Sequence, residues 1–153
     1  MALAEEYGLK EYPSPAGGCL LTDPVFSRRL RDLFSSRPDC ALQEIGLLKI
    51  GRHFRLGPAT KVVVGRNKTE NDVIDSLSCE KDLILRVEDI PGPTVLISGE
   101  ASPEEEALAL SITASYSDAK EDQVVEVTIA GRGMERSSQG RKCNKGRFSA
   151  MMI

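Results

Sequence analysis

The chain has 153 residues, room for one ordinary globular domain and not for two comfortable ones. It is 41% hydrophobic and 28% charged, with no Trp, so the expected core is thin. No apolar run approaches the length that spans a bilayer, and a net charge of -3 argues against a general nucleic-acid binder.

Residues 1–12 read as the end of an element that began earlier, with Ala4 to Gly8 resembling a last helical turn. Tyr12-Pro13-Ser14-Pro15-Ala16-Gly17-Gly18-Cys19 is expected to be a loop, because two prolines and two glycines allow nothing regular. Thr22-Asp23-Pro24 then starts a helix: Asp23 can accept from free amides, and Pro24 at the first helical position loses no hydrogen bond. Phe26, Leu30, Leu33 and Phe34 recur at helical spacing until Pro38 closes the segment.

A short helical piece around Leu42–Ile45 precedes an expected strand. Leu48, Ile50, Phe54 and Leu56 share one parity, while Lys49, His53 and Arg55 share the other and are expected to face outward. Arg52 breaks the apolar parity, which marks a bulge or a functional contact. Lys61–Arg66 reads as a buried strand on its run of three valines. Asn67 followed by Glu70 has capping-box spacing before a helix carrying Val73, Ile74 and Leu77. Strands are expected at Leu83–Val87 and Thr94–Ser98, around the turn Asp89-Ile90-Pro91-Gly92. Ser102-Pro103-Glu104-Glu105 opens a helix to about Tyr116, and Val124–Ile129 alternates as a last strand. The Gly, Ser and basic residues from Gly131 onward suggest a mobile tail. The expected fold is α+β, a single domain with a mixed sheet of about five strands and three to four helices. Its expected organisation is a linker over 1–22, a folded domain over 23–130 and the tail over 131–153.

Charge along the chain is uneven. Ile45–Thr69 contains no acid but holds Lys49, Arg52, Arg55, Lys61, Arg66 and Lys68. A second basic set, Arg132, Arg136, Arg141, Lys142, Lys145 and Arg147, lies in the tail. Such polarity can offer phosphate a basic face despite a negative total; its bland counterpart is an ordinary solvated surface. Lys49, Arg52, His53, Arg55, Lys61, Arg66, Asn67, Lys68 and Asn71 are the candidate RNA-binding residues, the last four clustered where a helix begins. His53 is suited either to acid–base work or to a polar contact.

The four cysteines are scattered without a C-x-x-C, and His53 is the single histidine, so no metal site is expected. Isolated cysteines with no leader-like start fit a reducing cytoplasm. Glycines before Cys19 could free amides to activate its thiol; the alternative is a tight turn leading to a small buried thiol.

Val64-Gly65-Arg66-Asn67, then Asn71-Asp72, Asp82-Leu83-Ile84-Leu85 and Asp89-Ile90-Pro91-Gly92 resemble the NFACT-R domain over roughly residues 60–129. Arg86 and Pro93-Thr94 stand where that family carries His and Ser-His. The resemblance therefore implies RNA contact through Arg66, Asn67 and Asn71 rather than catalysis. Tyr7-Gly8-Leu9-Lys10 and Pro13 to Leu21 resemble the region after the PP-loop ATPase domain of tRNA 2-thiouridylase-like proteins. That resemblance implies Cys19 as a catalytic sulfur relay. It also implies a PP-loop domain using ATP, a sulfur-donor protein and tRNA or another structured RNA as partners, with no membrane. The Ser-Gly-Gly-x-Asp-Ser loop of such ATPases is absent, so no cofactor is expected on these residues. The expected role is a tRNA-binding domain that positions its substrate for thiolation. The alternative is a protein–protein interaction module without RNA binding.

Overall fold

The computed structural model describes residues 22–153. Cys19 and its glycine-rich loop lie outside the described residues. Local chemistry starts the helices where the sequence suggests. In α1 (Pro24–Ser36), the Asp23 carboxylate accepts from the Val25 and Phe26 amides at 2.8 and 3.1 Å. α2 (Leu42–Leu47) follows after a short turn. In α3 (Lys68–Leu77), Asn67 Oδ1 accepts from the Glu70 amide at 2.9 Å. In α4 (Pro103–Ser115), Ser102 and Glu105 cap each other reciprocally.

The strands are β1 (Arg52–Gly57), β2 (Thr60–Val64), β3 (Leu83–Val87), β4 (Val95–Ser98), β5 (Val124–Gly131) and β6 (Met134–Arg141). They form one sheet in the order β1-β2-β4-β3-β5-β6, and every neighbouring pair is antiparallel. The single α+β domain agrees with expectation, while its sheet is antiparallel throughout rather than mixed.

Alternation along the central strands sorts side chains onto two covered faces. Val62, Val64, Leu85, Val95, Ile97, Val127 and Ile129 join Ile112 of α4 and Phe54 of β1 in the main core. Val63 and Leu96 point the other way, into a second cluster with Leu47 and Ile74 from α2 and α3. Phe26 and Leu33 of α1 pack on Leu48 beside it. No helix of the described residues is long and apolar enough to cross a membrane.

The C-terminal segment corrects the expectation of a mobile tail. Arg132 and Gly133, with φ of 56° and 73°, make a two-residue turn of the kind that matches strand twist, and β6 pairs with β5 along its length. Backbone pairing, rather than apolar alternation, holds β6. Beyond it, a 3-10 turn over Lys145–Met151 buries Phe148 completely in the main core. Met152 bridges to Phe54, and the Ile153 amide donates to the His53 carbonyl at 2.9 Å, so the chain end covers the free edge of β1.

The expected strand start at Leu48 also moves. Leu48 and Ile50 donate their amides to Ile45 and Leu47, which extends the turn after α2, and Gly51 has φ of +69°. A Cβ at Gly51 would lie 2.7 Å from the Val64 carbonyl oxygen, so the strand begins at Arg52.

Candidate nucleic-acid interface

The acid-free stretch divides into a buried set and an exposed set. His53 and Arg55 correct the expected outward-facing basic strand, because α1 and α2 cover the face they occupy, and Lys61 opposite Arg55 lies under the same cover. His53 is 0% exposed; its Nε2–H donates to the Leu47 and Ile50 carbonyls at 3.0 and 2.9 Å, which fixes the proton on that nitrogen. Burial, reinforced by Lys61 and Arg29, pushes its pKa well below the ordinary value. Arg55 is held on α1 by both oxygens of Asp32 and by Ser36 Oγ at 3.1 Å. Lys61, 7% exposed, has its ammonium brought down to about 8, chiefly by burial. Lys49 is exposed before β1 and, unlike the others that reach solvent, is not among the residues that line the cleft.

Those others converge. Arg52, Arg66, Asn67, Lys68 and Asn71 line an open polar cleft of about 320 Å³ at one end of the sheet, with Tyr116, Lys145 and Pro91-Gly92-Pro93 on the remaining walls. Asp118 is the single acid among the lining residues.

The floor of the cleft is built from the Gly65-Arg66-Asn67 and Asn71 positions. Gly65 continues the pairing of β2 by donating its amide to the Thr94 carbonyl at 3.0 Å. A Cβ on Gly65 would fall 2.0 Å from Asn71 Oδ1, so only glycine leaves that oxygen room to accept from the Thr94 amide at 3.1 Å. Asn71 thereby ties α3 to β4. Asn67 is spent on capping α3, and the Glu70 carboxylate accepts from the Arg66 backbone at 2.9 Å and from Arg66 Nη2 at 2.8 Å. The Arg66 side chain, helped by the amides of Arg66 and Gly51, holds the Glu70 carboxyl down at about 2. Arg66 is thus fixed in place while its side chain stays 49% exposed.

The opposite wall centres on Tyr116, which follows the last residue of α4 and packs its ring 6.1 Å from that of Phe54. The guanidinium carbon of Arg52 lies 4.9 Å from the Tyr116 centroid, and Lys145 Nζ lies 4.8 Å from it. Arg52, where the sequence left a bulge or a functional contact open, lies in the cleft against Tyr116. Tyr116 was not among the candidates, and Lys145 was placed in a tail; neither has a local signal, since both reach the site through tertiary packing.

Many remaining surface cations are occupied elsewhere. Arg37 pairs with Glu44, Arg86 with Asp75 and Arg136 with Glu106. Lys142 donates to the Ser117 and Ala119 carbonyls, and Arg132 to those of Lys81 and Gly99. Arg86, at the strand end where the resemblance led one to expect His, is therefore a structural link to α3. Among the described residues no cluster of His, Cys, Asp or Glu could hold a metal ion.

No curated protein matches the chain. A solved structure, that of the C-terminal part of the fibronectin/fibrinogen-binding protein from Streptococcus suis, aligns with a TM-score of 0.57 at 18% identity. The alignment covers 82% of this chain and 66% of that one, a likeness of fold. The NFACT protein RNA binding domain matches residues 51–148, a span that includes every residue lining the cleft. With that match across more than half of its length, the chain belongs to the NFACT protein RNA binding domain family.

Proposed function

We propose that the chain binds RNA through the cleft between Arg66 and Lys145, as the RNA-binding part of a tRNA-modifying, thiouridylase-like protein. The observation that carries the RNA reading is the convergence of Arg52, Arg66, Lys68 and Lys145 on one solvent-open site. Membership of a family described as RNA-binding supports the same reading. Phosphate oxygens are the natural partners of such cations, and the Nδ2 amides of Asn67 and Asn71, whose Oδ1 atoms are committed within the fold, add donors at the start of α3.

The wider assignment rests on the resemblance of the first 22 residues. In that reading the domain positions tRNA for a PP-loop ATPase domain of the same parent chain, in the cytoplasm, with ATP bound there and sulfur supplied by a donor protein. The Cys19 thiolate takes the outer, sulfane sulfur of a persulfide on the donor protein, the donor cysteine leaving as its thiolate, and so relays the sulfur as a persulfide. Replacing Cys19 with Ser in the full-length protein should abolish thiolation and leave tRNA binding unchanged; normal thiouridine formation by that variant removes the relay.

RNA binding itself is tested by titrating this chain with tRNA across salt concentration. Phosphate contacts displace counterions, so log affinity should fall linearly with log salt, at a slope of roughly -2 to -4 for the cleft cations. Binding that is absent at low salt, with specific retention of a protein partner instead, would replace this reading with the protein-interaction module.

A further inference from the structure

Resting on the RNA-binding reading, we infer that the cleft is a site for a terminal phosphate monoester of RNA, rather than one stop along a backbone track. A track needs cations spaced along a surface. Here Arg55 is locked on Asp32 and Lys61 is buried, so the basic stretch from Ile45 to Thr69 is broken in its middle. Arg52, Arg66, Lys68 and Lys145 meet at one cleft, whereas exposed cations such as Arg28, Arg31, Lys49 and Lys120 lie outside it.

The charge at that cleft fits a dianion. Four cations face two carboxylates there, Glu70 paired with Arg66 and Asp118 in the lining, so the formal sum is two positive charges. An internal phosphodiester carries one negative charge, whereas a terminal phosphate carries close to two near neutral pH and one more acceptor oxygen. The cations come from separate directions: Arg52 from β1, Arg66 and Lys68 from the entry to α3, and Lys145 from the C-terminal 3-10 turn. Cations on opposing walls can surround a tetrahedral group better than they can follow a chain that must leave at both ends. The volume of about 320 Å³ lies at the small end of ligand sites and suits one terminal nucleotide rather than a duplex. Tyr116 is a positioning residue here. Its ring carries both Arg52 and Lys145, so it serves to hold two phosphate ligands and not to stack a base.

The test uses this chain and one short single-stranded RNA sequence in three forms, with a five-prime phosphate, a three-prime phosphate, or hydroxyls at both ends. Binding is followed by fluorescence anisotropy. One phosphorylated form should bind at least about tenfold more tightly than the hydroxyl form, and which one identifies the end that is read. Inorganic phosphate should compete more strongly against that form. Changing Arg52 and Lys145 to Gln, both surface-reaching positions, should erase the preference while leaving the fold, measured by thermal unfolding, intact. Equal binding of all three forms that is still lost in the double variant overturns the terminal-phosphate site but keeps RNA binding. Failure of all three forms to bind overturns both.

Discussion

Lys145 Nζ sits 4.8 Å from the ring centroid of Tyr116, on residues 29 positions apart that meet because Phe148 anchors the C-terminal turn in the main core. The cleft thus depends on a segment whose composition alone suggests disorder. Phe148 is fully buried, so Phe148→Ala should cost about 3–5 kcal/mol of stability through lost burial and the cavity left behind. Chemical denaturation measures the loss. RNA affinity of the molecules that remain folded should also fall, since Lys145 loses its anchor.

Gly65→Ala tests the floor of the cleft. The new methyl would meet Asn71 Oδ1 at 2.0 Å, forcing that side chain off the Thr94 amide. A loss of roughly 1–3 kcal/mol is expected from overpacking, together with weaker RNA binding. Denaturation and anisotropy on the same preparation would show both. A stable variant with unchanged affinity would mean that Asn71 does not shape the site.

His53 should make stability depend on pH without making RNA binding depend on it. Its folded pKa lies well below 6.5, so the unfolded chain takes up the proton first. Stability is then complete above about 6.5 and falls as pH drops, by up to about 1.4 kcal/mol per unit over the region where only the unfolded chain is protonated. As His53 is the single histidine, His53→Gln should flatten the stability curve between pH ~6.5 and ~5. Unfolding curves at several pH values read this directly.

The features legible in the sequence were those made by neighbours along the chain. Asp23-Pro24, Asn67 with Glu70, and Ser102 with Glu105 start helices through contacts two or three residues long, and each was visible as such. The cluster Arg66, Asn67, Lys68 and Asn71 was visible for the same reason, all four lying within six positions around the start of α3. The covering of His53 and Arg55 was not, because the cover comes from Asp32 and its helix, 23 residues before Arg55. β6 was hidden differently. Met134–Arg141 has no apolar alternation, and its fit depends on Gly140, where a Cβ would lie 2.4 Å from the Leu110 carbonyl oxygen of α4. The turn at Arg132-Gly133, with both φ positive, shows itself only in the structure.

Glu70 should give a second, more acidic dependence. Its carboxyl is lowered from 4.5 to about 2, first by the Arg66 side chain, so its contribution is complete above 4.5 and lost as pH falls through about 2. Glu70→Gln should lower stability at neutral pH by about 1–2 kcal/mol, a modest figure because Arg66 is half exposed and the pair is screened. The variant should also be less sensitive than the parent between those pH values. RNA affinity should rise slightly at low salt, since Arg66 loses its counter-charge.

The central claim is that the cleft, and not basic charge in general, binds RNA. The direct measurement is tRNA affinity for two charge-matched variants at one salt concentration. In the first, Arg52, Arg66, Lys68 and Lys145 become Ala; in the second, Arg28, Arg31, Lys49 and Lys120 do, all exposed and outside the cleft. The first should lose binding by about a hundredfold or more, and the second should stay within about threefold of the parent. Equal losses in the two variants, or none in the first, would contradict the account.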